Sequence, residues 1–217
     1  MRSTRLLPVA AVSALALLAG CSRAVMTTPP VPPTAGAEQV GFASWYGFAH
    51  HGRRTASGEV FDMYQLTAAH RTLPFGTRLL VTNRDTSQST EVRVNDQGPF
   101  VEGRILDVSY AAARQLGAVG PGVIPVRLRV VSLPGTETTA PDRYGGGFTV
   151  QVGSFTSRAR AVALRDTVGG AAAITEATVG GEVLYRVRIG PYADRAQARA
   201  AAQNLVARGF SAIIVDR

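Results

Sequence analysis

The chain has 217 residues with 23 basic and 15 acidic side chains, a formal net charge of +8 in which every cation is an arginine. Apolar residues make up 46%, enough for one medium domain or two small ones and too many for a disordered chain. The arginines are scattered and no basic-aromatic motif accompanies them, so the charge selects no acidic partner by itself and nucleic acid is not expected.

The chain opens with Arg2 and Arg5, then an apolar run from Leu6 to Leu18 that is too short to span a bilayer comfortably. It ends Leu18-Ala19-Gly20-Cys21, and Cys21 is the only cysteine. Small residues before a lone cysteine resemble a bacterial lipoprotein processing site, which implies removal of residues 1–20 and acylation of Cys21. Several acyl chains anchor stably where one binds marginally. Ser22 follows, not the Asp that marks inner-membrane retention, so the expected location is the periplasmic face of the outer membrane. With no second cysteine, the mature chain folds without internal disulfides. Residues 21–40 carry Pro29, Pro30, Pro32 and Pro33 and read as a semi-rigid tether.

Residues 41–133 read mainly as short strands. Phe42–Tyr46, Arg78–Thr82, Thr90–Val94 and Val126–Val131 are alternating, β-branched or aromatic-rich, and turn signals at Gly52, Gly58, Pro74, Gly76 and Gly98-Pro99 separate them. One helix is expected, capped by Ser109, running Tyr110 to Leu116 and stopped by Gly117. Short strands with a single helix predict a small closed β-barrel. Residues 134–146, with Pro134, Gly135, Pro141 and Gly145-Gly146, lack periodicity and read as a linker.

Residues 147–217 contain a repeat. Phe148-Thr149-Val150-Gln151-Val152-Gly153-Ser154-Phe155 matches Tyr185-Arg186-Val187-Arg188-Ile189-Gly190-Pro191-Tyr192, and each copy leads into an alanine-rich helix capped by Ser157 or Asp194. Strands near Ala172–Ala177 and Ser211–Val215 complete a βαββαβ order, which predicts a four-stranded antiparallel sheet with both helices on one face. Alternation turns Phe148, Val150, Val152, Tyr185, Val187 and Ile189 to the helices. It leaves Gln151, Arg186 and Arg188 on an open face suited to sugar hydroxyls or carboxylates, or simply to solvent.

Ala43-Ser44-Trp45-Tyr46-Gly47, His51-Gly52-Arg53, Thr55-Ala56-Ser57-Gly58-Glu59 and Leu66 through Thr77 are followed in order by Val94-Asn95-Asp96-Gln97-Gly98-Pro99-Phe100 and Gly103 through Ser109. This series resembles the rare lipoprotein A family over most of residues 41–130. Residues 147–217 resemble the sporulation-related repeat (SPOR) module. The resemblance implies a β / α+β protein, a six-stranded double-psi β-barrel followed by the small SPOR domain. It also implies a lytic transglycosylase, a lyase that cleaves MurNAc–GlcNAc bonds with formation of a 1,6-anhydro sugar. Its partner is peptide-stripped glycan at the division septum, with divisome proteins nearby. The alternative is a non-catalytic glycan-binding lipoprotein of the division site. Where the family commonly has Asn-Asp-Arg-Gly-Pro-Phe, Gln97 replaces the arginine.

Cleaving a glycosidic bond requires a proton for the leaving oxygen and stabilisation of an oxocarbenium-like transition state. With the sugar's own C6 hydroxyl as nucleophile, one carboxyl can serve first as acid and then as base. Asp96, at the end of an alternating strand, is the catalytic candidate; locally it also reads as an Asx-turn. Glu59 and His70 match the family's other site residues, and locally read as a solvated loop acid and a hydrogen-bonded rim histidine. Trp45 and Tyr46 are candidate sugar-stacking residues, although a sole tryptophan is equally at home in a core. Gln151, Ser154, Phe155, Arg188 and Tyr192 are candidate ligands of the SPOR module. Asp107 reads as a helix cap. No cofactor or metal is expected: His50 and His51 are adjacent, and neither an HExxH motif nor a cysteine pair is present.

Overall fold

The computed structural model describes residues 30–136 and 147–216. The leader, Cys21, the tether through Pro29 and residues 137–146 of the linker lie outside the described residues.

Six strands, β1 (Glu38–Tyr46), β2 (Thr67–His70), β3 (Arg78–Asn83), β4 (Ser89–Asp96), β5 (Arg104–Ser109) and β6 (Ile124–Ser132), close a barrel in the order β1-β5-β2-β4-β3-β6. The β1–β5 and β2–β4 pairs are parallel and the rest antiparallel. Alternation sends Leu79 and Val81 of β3, Val92 and Val94 of β4, and Val126, Leu128 and Val130 of β6 into the interior, where all are buried. Gly41 is required where β1 meets β5, because a Cβ there would lie 2.7 Å from Ile105 Cγ2. Helix α1 (Tyr110–Leu116) adds Ala112, Ala113 and Leu116 to the same core. Ser109 caps it, accepting from the Ala112 amide, and Gly117 ends it at φ +69°.

The chain already packs before β1. Val31 is buried in the barrel core and the Gly36 amide donates to Val130 O at 2.8 Å, so the last part of the expected tether is barrel surface.

In the second unit, β7 (Phe148–Phe155), α2 (Arg158–Val168), β8 (Ala173–Val179), β9 (Glu182–Tyr192), α3 (Arg195–Ala207) and β10 (Ile213–Asp216) form an antiparallel sheet of order β10-β7-β9-β8. Ser157 and Asp194 cap the two helices as the repeat implies. Val150, Val152, Phe155 and Val187 meet Ala161, Val168, Ala198 and Leu205 in one core.

The other face of this sheet is not open. It lies on the outer wall of β3, β4 and β6, where Leu80 and Val131 of the barrel pack against Val179 and Leu184 of the sheet. Arg186 Nη2 donates to Glu91 Oε1 at 3.1 Å, Arg129 Nη1 donates to Gly180 O at 2.6 Å, and Arg127 pairs with Glu182. An outward leucine in the middle of Leu79-Leu80-Val81 thereby finds apolar company.

Candidate functional site

The site forms where β4 leaves the barrel. The β2–β4 register shifts between Ala68 and Ala69, so that Ala68 lies opposite Val94 but Ala69 lies opposite Asp96. The extra residue, Asn95, is a bulge that re-aims the aspartate that follows it. Asp96 Oδ1 accepts from the amides of Ala56 (2.8 Å) and Gln97 (2.9 Å), and no described residue bonds Oδ2. The Asx-type contact read from local sequence is therefore present, and it orients the carboxylate while using one of its two oxygens.

The first of those amides belongs to a loop, residues 53–61, whose ends are joined by a bridge between Arg54 and Val60. Gly58 turns it at φ +89°, a conformation that favours glycine. The loop docks on β4 through Ser57 N to Asn95 O (3.3 Å) and through Glu59. Arg93 clamps Glu59 with two hydrogen bonds, 2.6 and 2.8 Å, and Asn95 Nδ2 adds a third at 3.2 Å. The arginine contact holds the Glu59 carboxyl below its ordinary pKa, so Glu59 is an ionised carboxylate beside the site.

His70 is buried at 3% exposure. Its Nδ1 accepts the amides of Thr72 (3.2 Å) and Leu73 (3.1 Å), which leaves the proton on Nε2 to face Gln39 Oε1 at 3.3 Å. Burial, with Arg71 adding to it, pushes its pKa down to about 4. A neutral imidazole with both nitrogens engaged orders the turn after β2; it makes no described hydrogen bond to Asp96.

Trp45 packs partly buried against the barrel core and lies 5.6 Å from the Tyr110 ring. Tyr46 stacks on Phe61 at 4.5 Å, and its buried hydroxyl faces the Thr67 hydroxyl. Burial first, then the nearby charges of Asp96 and Asp107, raise the phenol pKa far above its usual range, so the group stays a donor. Both rings are partly buried, and each has a tilted aromatic neighbour. Exposed aromatics lie elsewhere, at Phe48, Tyr64 and Phe100, in loops where no periodicity singles them out.

Asp107 corrects a second reading. It does not cap α1, a task done by Ser109; it accepts from Ser44 Oγ at 2.6 Å. Register places it opposite one side of Ala69 on β2 while Asp96 lies opposite the other, so the two carboxylates flank one small residue across three strands.

In the second unit, Gln151 and Arg188 fall on the face away from the helices, as alternation implies, and the register shift between Gln151 and Gly153 brings Ser154 to the same face; all three are buried, because that face rests on the barrel. The expectation of an exposed cationic sheet is therefore corrected: alternation fixes which face a residue takes and says nothing about what covers it. Phe155 and Tyr192 belong to the helix-side cluster, so their rings fill the core of the unit.

Residues 38–128 match the family described as lytic transglycolase, and residues 144–216 match the SPOR domain. An endolytic peptidoglycan transglycosylase RlpA from Vibrio cholerae is 40% identical over 164 residues, 73% of this chain and 61% of its own length. A probable endolytic peptidoglycan transglycosylase RlpA from Synechocystis is 58% identical over 91 residues, 42% of this chain and 28% of its own. The RlpA of Campylobacter jejuni is 39% identical over 140 residues, 56% of this chain and 51% of its own. The chain thus spans between 28% and 61% of the length of these relatives. Two matches in this order, on a barrel and a βαββαβ unit, identify residues 38–128 as a domain similar to the lytic transglycolase family and residues 144–216 as a domain similar to SPOR.

Proposed function

We propose that the protein is a peptidoglycan lytic transglycosylase that cuts MurNAc–GlcNAc bonds, with Asp96 as the catalytic group. Protonated Asp96 gives its proton to the glycosidic oxygen as the C1–O bond breaks. The carboxylate then takes the C6 hydroxyl proton as that oxygen closes on C1, leaving a 1,6-anhydro end and a regenerated acid. Glu59, kept ionised by Arg93, supplies negative charge beside the developing oxocarbenium ion. One observation carries the assignment: of the three candidates, Asp96 alone is oriented by backbone amides yet keeps an oxygen that no described residue uses. Glu59 is clamped by an arginine and His70 has both nitrogens engaged.

The reading extends to the whole chain. Residues 1–20 form a lipoprotein leader, Cys21 carries the lipid that holds the protein to the outer membrane, and the SPOR domain brings the barrel to peptide-stripped glycan at the septum. Its support is the placement of the sole cysteine at the end of an apolar run and the order of the two domains.

Mass spectrometry of products released from purified glycan strands tests the chemistry. Wild-type protein should release anhydro-ended fragments. Asp96→Asn should lower their release about a thousandfold, because the amide keeps the Ala56 and Gln97 contacts but cannot shuttle the proton. Equal product from both would move the catalytic role to another residue. No anhydro ends from wild type would leave a glycan-binding barrel without this reaction.

A further inference from the structure

The covered face of the SPOR sheet is built unlike a permanent interface. Its buried apolar contact with the barrel centres on Leu80 and Val131 on one side and Val179 and Leu184 on the other, with Leu66, Ile213 and Val215 lining the cavity beside it. Around that patch lie Gln151, Ser154, Arg186 and Arg188, with Thr90 and Glu91 opposite, enclosing a cavity of about 230 Å³. Ser154 Oγ and, beside Arg186 in register, Thr175 Oγ1 are buried with no hydrogen-bond partner among the described residues. Each such orphan costs free energy in the docked state that water or a polar ligand would recover. The ion pairs that span the boundary, Arg186–Glu91 and Arg127–Glu182, are only partly shielded and so contribute modestly. Polar boundaries of this kind between domains of one chain are made and broken readily.

The chemistry of the barrel side is also specific. Glu91 presents a carboxylate to Arg186, on a face whose other polar groups are the Gln151 amide, the Ser154 hydroxyl and a second guanidinium, set among Leu184, Ile213 and Val215. A glycan strand freed of its peptides carries the same combination, lactyl carboxylates among sugar hydroxyls.

We propose that the SPOR sheet and the outer wall of the barrel form a latch, in which Glu91 and its neighbours occupy the sheet face that takes peptide-free glycan, so that docking and glycan binding exclude one another. The proposal rests on the reading of the SPOR domain as a glycan-binding module. In the docked state the module is masked; when glycan takes the sheet face, the barrel is released to act on it.

The test uses the full chain in detergent, carrying Asp96→Asn so that strands are bound without being cut. Glu91→Arg sets like charges against Arg186, and Arg127→Glu does the same against Glu182; neither lies in the cleavage site or on the sheet. Small-angle scattering should show each variant expanded relative to the parent, and each should bind purified peptide-free glycan strands roughly five- to tenfold more tightly. Adding Glu182→Arg to Arg127→Glu restores an opposite-charge pair and should return both compactness and affinity to the parent values, which separates unlatching from damage to the fold. Expanded variants that bind glycan no better than the parent would overturn the latch. So would variants that stay compact, since these pairs would then not hold the domains. If parent and expanded variants alike bind no glycan, the glycan reading of the SPOR domain fails, visibly apart from the docking itself.

Discussion

At the scale of single residues, the site divides its titratable groups by environment. Arg93 and Asn95 surround the Glu59 carboxylate with three donors, which lowers its pKa and favours the charged form. Glu59→Gln should therefore slow cleavage about ten- to a hundredfold, read as anhydro ends released from purified glycan strands. An unchanged rate would show that the Glu59 charge takes no part in the reaction. The thermal midpoint should move little, because an ion pair with its carboxylate 44% exposed contributes at most about 1 kcal/mol. His70 behaves oppositely. Its pKa falls from 6.5 unfolded to about 4 folded, so the unfolded chain binds a proton that the folded one refuses between those values. Its contribution to stability is complete above pH 6.5 and is lost as pH falls toward 4, by about 3 kcal/mol in all. His70→Asn keeps an acceptor for the Thr72 and Leu73 amides and removes the titration. Urea unfolding of the variant between pH 6.5 and 4 should lack this share of the slope; an unchanged slope would show that His70 is not buried as a neutral ring.

At the scale of elements, legibility followed periodicity. Strands β4 and β6 alternate long apolar residues with polar ones, and β3 is a short apolar run, Leu79-Leu80-Val81, between turn signals, so each is visible in the chain. Strand β2, Thr67-Ala68-Ala69-His70, has two alanines, poor strand formers, and is held as a strand by pairing with β4 on one side and β5 on the other. Strand β5 was recognisable only as part of a family motif. The same limit applied to the site. Asp96, Glu59 and His70 could be named, but the bulge at Asn95, the Arg93 clamp and the Asp107–Ser44 bond depend on residues brought together from distant strands. The cap of α1 was legible because capping is local. Ser109 Oγ serves two partners, accepting from Ala112 N at 3.3 Å and donating to Gln65 O at 2.6 Å. Ser109→Ala removes one of two hydrogen bonds to the Gln65 carbonyl and uncaps a seven-residue helix, and should destabilise the barrel by about 1 to 2 kcal/mol in urea unfolding. A loss below a few tenths would mean that packing of Ala112, Ala113 and Leu116 alone fixes the helix.

At the scale of the molecule, the proposed anchor and the length of chain after it would set where the barrel can work. Proline-rich composition made residues 21–40 read as one spacer, but Val31 is part of the barrel core and Gly36 is bonded to β6. The length between the proposed lipid and the packed chain is therefore residues 22–30, which at full extension reach roughly 30 Å. Under the proposed anchoring, an acyl group on Cys21 would confine the barrel to a layer close to the membrane surface. Cys21→Ala removes the acceptor thiol and should abolish incorporation of labelled fatty acid. The protein should then leave the outer-membrane fraction, while purified protein retains its cleavage of free glycan strands, since no residue of the site lies before Ala56 in the Asp96 contacts. Cleavage of intact sacculi in cells should fall further than cleavage in solution, because the loss is one of local concentration rather than of chemistry. Variant protein that still sediments with the outer membrane, and is released by muramidase digestion, would show that the wall holds it in place of lipid. Unchanged sedimentation that survives digestion would assign the anchor to a membrane partner.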